Sequence, residues 1–94
     1  MEIFGLGLID MFIQGHVDAR GPLEAWVAHV RNARWTRNTD IRGLSASATF
    51  VGNRRVVFNI KGNRYRLDVQ VDYLRQIVLV KRIGTHAEYD KWKF

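Results

Sequence analysis

The chain has 94 residues, of which 47% are hydrophobic, and it contains no cysteine. This length provides one compact core but not two, so we expect residues 1–94 to form a single domain. The lack of cysteine excludes a disulfide framework and a thiolate metal site, and it fits a cytoplasmic protein. The net charge of +6 at pH 7 indicates a polyanionic partner.

The charge is distributed unevenly along the chain. Residues 1–30 carry one basic and four acidic side chains, a net charge of −3, whereas residues 31–94 carry 14 basic and 5 acidic ones, a net charge of +9. The positive potential therefore belongs to the middle and C-terminal parts. The alternative is a basic surface that serves solubility alone, since net charge affects solubility as well as binding.

The N-terminal segment is apolar up to Ile13 but contains Glu2 and Asp10. It lacks a basic leader and a small-residue cleavage pattern, and it is shorter than the roughly 20 residues that span a bilayer. We therefore expect core elements rather than a signal peptide or a membrane span. The apolar spacing predicts a short strand over residues 1–4 and a helix over residues 6–14.

A second helix is predicted from Pro22 onwards, since proline is tolerated in a first helical turn. Asp18 or Gly21 is its expected N-cap. Apolar residues recur three and four positions apart on one face, which places Trp26 in the core. They are Leu23, Trp26, Val27 and Val30. Residues 36–53 are rich in turn formers and predict an irregular connection.

The apolar pattern changes to period two after residue 55, which predicts β-strands. Gly62-Asn63 separates two such runs and is typical of a two-residue hairpin loop. The continuous apolar run at residues 77–80 predicts a third strand, buried on both faces. The expected fold class is α+β, with two N-terminal helices packed on a small antiparallel sheet and a short C-terminal helix or turn.

The hairpin predicts a basic face. With a Gly62-Asn63 loop, Lys61 pairs with Arg64 and Asn59 pairs with Arg66, and paired residues project to the same side of a sheet. Three neighbouring cations repel one another unless an anion lies among them. This pattern favours phosphate binding by these side chains, although a solvated sheet face is the alternative.

The second candidate feature is His86-x-x-Tyr89-Asp90 near the C-terminus. On a helical turn, Tyr89 and Asp90 both lie near the imidazole. The carboxylate can orient the histidine, which can exchange a proton at neutral pH, and the tyrosine can hold a proton or stack on a base. Taken alone, this motif indicates capping or packing at least as readily as chemistry.

Other chemistries have no motif. The three histidines are far apart in sequence, and there is no H-E-x-x-H, P-loop or G-x-S-x-G pattern. We therefore expect neither a metal nor a cofactor. Together the basic face and the histidine–tyrosine pair suit RNA cleavage, in which the 2′-hydroxyl attacks the adjacent phosphate. That reaction needs a base, an acid and cations near the developing phosphorane charge.

Two blocks resemble the HigB branch of the RelE-like toxins: residues 55–67, RVVFNIKGNRYRL, and residues 84–90, GTHAEYD. The shorter stretches at residues 33–35 and 50–53 are similar to the same family, and the resemblance extends over about residues 20–94. One departure is the lack of basic residues over residues 5–14, where relatives commonly carry them in their first helix. This apolar segment could instead serve antitoxin binding or self-association.

The resemblance implies a toxin that cleaves mRNA, often on the ribosome. It also implies a HigA-like helix-turn-helix antitoxin, through which the pair binds operator DNA. By motif position, Arg66 would stabilise phosphate charge, helped by Lys61 and Arg64. His86 and Tyr89 would transfer protons or stack on a base, with acid and base roles open.

Asp90 is expected to orient His86. The further candidates for RNA or phosphate binding are Asn59, Lys81 and Arg82. Two alternatives to the nuclease remain: a non-catalytic RNA- or ribosome-binding module, and an inactive toxin that acts only with its antitoxin in operon repression.

Overall fold

The computed structural model describes residues 1–94. The elements in chain order are β1 (Glu2–Phe4), α1 (Leu6–Gly15), α2 (Arg20–Asn32), α3 (Asn38–Leu44), β2 (Thr49–Phe50), β3 (Arg55–Ile60), β4 (Tyr65–Asp72), β5 (Ile77–Thr85) and α4 (His86–Tyr89). The predicted α+β class is confirmed, as are the N-terminal strand and the first helix. No helix is both long and apolar enough to cross a membrane.

The strands form one five-stranded sheet in the order β1-β5-β4-β3-β2. The predicted antiparallel meander is present as β3, β4 and β5. The sheet is nevertheless mixed rather than antiparallel, because β1 pairs with β5 in parallel. Parallel neighbours need a long crossover, and here the crossover consists of all the elements between these two strands.

The first two helices cover one face of the sheet. Trp26 of α2 and Trp35 both pack against Phe58 of β3, with ring centroids 5.6 and 6.3 Å apart. The predicted core position of Trp26 is confirmed, since the residue is buried. The predicted N-cap is wrong: a 3-10 turn over Val17–Ala19 leads directly into α2, and no side chain caps the helix.

The prediction of an irregular connection over residues 36–53 is also wrong, because it contains α3 and β2. The start of α3 is stabilised by Asp40, whose carboxylate accepts the backbone N–H groups of Thr36 and Arg37 at 2.8 and 3.3 Å. These bonds hold the pKa of Asp40 below its usual value. Ile41 anchors the helix in the core. Turn-forming residues therefore cap a short helix here.

The C-terminal segment, residues 86–94, covers the opposite face of the sheet. The predicted hairpin register is confirmed, with Asn59 opposite Arg66 and Val57 opposite Asp68. Three aromatic rings of the segment lie over arginines of this face. The pairs are Tyr89 with Arg66 at 5.2 Å, Trp92 with Arg82 at 4.5 Å and Phe94 with Arg55 at 5.4 Å. The helices α1 and α2 thus cover one face of the sheet with apolar side chains. On the other face, the aromatic rings of the C-terminal segment lie over arginine side chains.

Gly5 joins β1 to α1 in a conformation that suits glycine. Its φ is +92°, and an added Cβ would lie 2.9 Å from the carbonyl oxygen of Val80. We expect Gly5→Ala to lower the free energy of unfolding by about 1–2 kcal/mol from the backbone conformation alone, and further through the clash with β5. Urea denaturation measures this effect.

Gly7→Ala is the matched control, since a Cβ at that helical position meets nothing within 4 Å. It should leave stability unchanged or raise it by up to about 1 kcal/mol. Equal effects of the two substitutions would contradict this account of Gly5.

Candidate functional site

Arg66 lies on β4, close to the hairpin loop, and is 6% exposed. Its Nη1 donates to the carbonyl oxygens of Asn63 and Tyr65 at 2.9 and 3.2 Å, and its Nη2 donates to Asn63 Oδ1 at 2.6 Å. The guanidinium lies over the ring of Tyr89. The side chain is therefore held in place by neutral groups alone, without a carboxylate.

The guanidinium of Arg66 keeps free donor capacity. Its Nε and one Nη2 hydrogen have no protein acceptor, because its hydrogen bonds use only Nη1 and one Nη2 hydrogen. Trp26 Nε1 is the only side-chain nitrogen or oxygen that is both fully buried and without a partner. Nε of Arg66 also lacks a partner, so it is not fully buried. Buried charges are normally paired. Arg66 thus offers an anion a positioned cation with free N–H groups.

His86 and Tyr89 lie on α4, which is stabilised by a capping box. Glu88 N donates to Thr85 Oγ1 at 3.2 Å, and Thr85 N donates to Glu88 Oε1 at 2.9 Å. The Thr85 bonds hold the pKa of Glu88 below its usual value. The backbone N–H of His86 also donates to Arg64 O at 3.1 Å, which fixes the start of α4 beside the hairpin.

The exposed imidazole of His86 has the predicted acidic neighbour. Its Nδ1 lies 3.4 Å from Asp90 Oδ2. Tyr89 is half-buried, and its ring contacts both the guanidinium of Arg66 and the ring of Trp92, whose centroid is 5.6 Å away. The structure therefore brings Arg66, Tyr89, His86 and Asp90 together at one end of the sheet.

Gly84 allows α4 to fold closely over β4 and β5. It lies opposite Arg66 in the strand register. A Cβ at this position would lie 3.0 Å from Trp92 Cζ2 and 3.2 Å from Glu88 Cβ. A larger residue would require Trp92 and Glu88 to move, so glycine suits the close approach of α4 to the sheet.

Lys61 and Arg64 have an internal counter-charge, which the sequence did not predict. Asp18 Oδ2 lies 3.2 Å from Lys61 Nζ and 3.4 Å from Arg64 Nη1. Asp18 Oδ1 accepts the hydroxyl of Tyr65 at 2.6 Å. The argument that these cations repel without a ligand is therefore wrong for Lys61 and Arg64, because Asp18 lies between them. The predicted basic face is wrong for the same two residues, because Asp18 and Tyr65 hold them on the helix side of the hairpin, away from Arg66. The Tyr65 bond, followed by Lys61 and Arg64, lowers the pKa of Asp18, and the same bond raises that of Tyr65.

Arg82, which the sequence suggests as a phosphate-binding residue, also has an internal partner. Its Nε donates to Asp68 Oδ2 at 2.7 Å, and Arg55 donates to both oxygens of the same carboxylate. Arg82 reaches Asp68 because the β4–β5 register shifts, with Val80 opposite Val69 but Arg82 opposite Asp68. Lys81 is the extra residue of this bulge, which reverses the alternation of side chains beyond it.

The other two RNA-binding candidates are less closely tied to the cluster. Lys81 is exposed, forms no ion pair and lines an open groove of about 380 Å³ beside α1. Asn59 is half-buried opposite Arg66, so its side chain belongs to the same face of the sheet. No three side chains of the His, Cys, Asp or Glu type are close enough together to hold a metal ion.

Several residues that build the site were not identified from the sequence. Thr85 and Glu88 could have been, since T-x-x-E is a recognisable capping pattern. Asn63 was assigned to the turn, although it also holds Arg66. The role of Asp18 had no sequence signal, because its partners lie more than forty positions away.

Residues 19–92 match the HigB toxin family, described as the RelE-like toxic component of a toxin-antitoxin system. This range includes the hairpin and α4. Because the match spans most of the chain, the protein belongs to the HigB toxin family, and the resemblance predicted from the two sequence blocks is confirmed. Membership implies an antitoxin as partner. Among curated protein sequences, none matches the chain.

Proposed function

We propose that this toxin is an endoribonuclease that cleaves mRNA with its own side chains and without a metal ion. The observation that carries the proposal is the uncompensated charge of Arg66. On the same face of the sheet, Arg55 and Arg82 share the carboxylate of Asp68, whereas Arg66 has only neutral partners and free N–H groups. A phosphate would supply the missing anion, since guanidinium groups match phosphate oxygens geometrically.

The proposed reaction is a transesterification. The RNA 2′-oxygen forms a bond to phosphorus and gives up its proton, while the bond from phosphorus to the 5′-oxygen breaks and the leaving oxygen takes a proton. The products are a 2′,3′-cyclic phosphate and a 5′-hydroxyl. Preorganised donors that stabilise charge in the transition state are a large source of catalysis. Arg66 has this role. The family resemblance assigns Lys61 to it as a second cation, which requires Lys61 to leave Asp18, 3.2 Å away.

Proton transfer is assigned to His86 and Tyr89 together. They are three residues apart on one helical turn. Because the ring of Tyr89 contacts Arg66, we place the phosphate where both residues can reach it. Asp90 orients the imidazole from 3.4 Å. The proposal leaves the choice of acid and base between these two residues to experiment.

The RNA path follows the basic part of the surface. Asn59 lies opposite Arg66 in the strand register, and we assign Arg64 and Lys81 to the RNA path because both are exposed cations. Arg82 would act on RNA through the field of its charge, since its guanidinium is held by Asp68. We further propose that the substrate is mRNA on the ribosome and that the antitoxin is a HigA-like helix-turn-helix protein through which the toxin reaches operator DNA.

Cleavage of a single-stranded RNA by the purified protein tests the proposal. We expect products that end in a 2′,3′-cyclic phosphate and a 5′-hydroxyl, unchanged by a metal chelator, and no cleavage of the 2′-O-methyl RNA of the same sequence. His86→Ala should reduce cleavage by about 10²–10⁴-fold, the usual contribution of general acid–base catalysis.

The same proteins should be induced in growing bacteria. Wild type is expected to arrest growth and to create new RNA 5′ ends, and His86→Ala to do neither at equal abundance. Growth arrest with salt-sensitive RNA binding and no new ends would identify a non-catalytic binding module instead. Products with 5′-phosphates would contradict the mechanism.

A further inference from the structure

Asp18 lies at the centre of a cluster that joins the N-terminal helices to the hairpin. Three donors from the hairpin converge on its carboxylate: the ammonium of Lys61, the guanidinium of Arg64 and the hydroxyl of Tyr65. The ring of Tyr65 is itself fixed by edge contacts with Phe12 and His16, at 5.2 and 5.4 Å. The carboxylate therefore meets one positioned donor and two flexible cations.

The same donors would suit a phosphate. Carboxylate and phosphate oxygens accept hydrogen bonds from the same charged groups. Lys61 and Arg64 are accessible, with side chains 42% and 64% exposed. The Asp18 side chain is 32% exposed, which is less than either cation. An RNA phosphate approaching from solvent can therefore reach both cations while they lie beside Asp18.

We propose that Asp18 occupies the place of an RNA phosphate, and that binding transfers Lys61 and Arg64 from this carboxylate to the RNA backbone. The inference rests on the proposed function in that RNA is the polyanion. Asp18 then limits affinity, because any phosphate must compete with a tethered anion. Single-stranded RNA would bind productively only where further contacts, such as those at Arg66, compensate for the exchange.

The charge of the cluster makes the inference measurable. Lys61, Arg64 and Asp18 together carry +1, and replacing Asp18 with asparagine leaves +2. For single strands, the slope of log K against log salt concentration changes by about 0.7 for each phosphate neutralised. Asn keeps an oxygen that accepts the Tyr65 hydroxyl, so the substitution removes the charge and preserves the shape.

Binding of a 2′-O-methyl RNA oligonucleotide tests the proposal. We expect Asp18→Asn to bind about 3–10-fold more tightly than wild type at 0.1 M salt, the range that two exposed ion pairs would produce. Its salt slope should be steeper by about 0.7. The matched control is Asp72→Asn, which also removes one negative charge but whose partners, Arg54 and Arg75, lie 3.8 and 3.9 Å away, outside the cluster.

A second pair of variants separates release of the cations from a general charge effect. In a Lys61→Gln, Arg64→Gln background, adding Asp18→Asn should no longer increase affinity. The proposal is overturned if Asp18→Asn behaves like Asp72→Asn, or if its effect persists in that background. Urea denaturation of each variant shows that the compared proteins are folded.

The probe has no free 2′-hydroxyl, so the two proposals fail separately. If unmodified RNA is not cut but Asp18→Asn still binds more tightly, the nuclease proposal fails and the role of Asp18 stands. If RNA is cut but Asp18→Asn does not bind more tightly than Asp72→Asn, only the role of Asp18 fails.

Discussion

Replacing Arg66 with alanine is expected to reduce RNA cleavage by about 10²–10³-fold, the usual cost of removing one preorganised donor from a developing oxyanion. The effect should fall on kcat more than on KM, because the charge of the phosphorane exceeds that of the ground-state phosphate. Arg66→Lys keeps the charge but cannot bond Asn63 as a fork and still lie flat on Tyr89. Arg66→Lys should therefore restore RNA binding but little of the cleavage rate.

The control for Arg66 is Arg75→Ala. Arg75 is exposed and lies in the turn between β4 and β5, where its only ion pair is with Asp72 at 3.9 Å. Its loss should change the rate by less than about twofold, since rim charges act mainly on association. Steady-state kinetics on one fluorogenic RNA compare all three variants. A folded Arg66→Ala protein with wild-type kcat would refute the proposed role of this side chain.

The hairpin is the part of the site that the sequence predicts best. Alternating apolar residues and the Gly62-Asn63 loop determine the register, so sequence reasoning alone correctly places Asn59 opposite Arg66. In a local pattern of this kind, the spacing of residues along the chain determines which side chains are neighbours. The same is true of α4, where His86 and Asp90 are neighbours simply because four residues make about one helical turn.

Electrostatic pairing was not predictable in the same way. The sequence shows that Lys61, Arg64 and Arg66 are cations on one hairpin, but the fold decides which of them meets a carboxylate. Asp18 comes from the turn before α2 and compensates the first two, whereas no acidic side chain reaches Arg66. Only the three-dimensional structure therefore shows that Arg66 is the cation without an acidic partner.

Strand β5 also differs from its prediction. The apolar run at residues 77–80 predicted a strand buried on both faces, but β5 continues to Thr85 and only Val78 and Val80 of that run are fully buried. The extra residue at Lys81 then turns Arg82 to the face of Asp68. Without the bulge, strict alternation would direct Arg82 into the apolar helix layer, where its burial would be costly.

Asp68 is expected to make the largest contribution to stability of any polar side chain. It is 0% exposed and accepts hydrogen bonds from both Arg55 and Arg82. Removing one member of a buried ion pair typically costs about 3–5 kcal/mol. The two arginines are 21% and 32% exposed, so water can partly solvate them. We therefore expect Asp68→Asn to lower the free energy of unfolding by about 3 kcal/mol, near the lower end of that range.

Asp72→Asn again serves as the control, because its ion pairs are long and at the surface. It should cost at most about 1 kcal/mol in the same urea titration. An apolar replacement of all three residues, Arg55→Met, Asp68→Leu and Arg82→Met, should recover much of the stability that Asp68→Asn loses, since well-packed apolar groups can replace a buried ion network. Equal effects of Asp68→Asn and Asp72→Asn would show that the buried network contributes no more than a surface pair.

The network also contacts the C-terminal segment that carries the proposed catalytic residues, which gives the apolar variant a second use. Arg82 supports Trp92 by stacking and donates through Nη2 to the carbonyl oxygen of Lys93 at 3.1 Å. Trp92 in turn contacts Tyr89. The triple apolar variant should therefore be stable but cleave RNA more slowly, because α4 has lost the anchor of its C-terminal side. A triple variant with wild-type kcat would show that the contact of Tyr89 with Arg66 and the capping box of Thr85 are sufficient to hold His86 and Tyr89 in place.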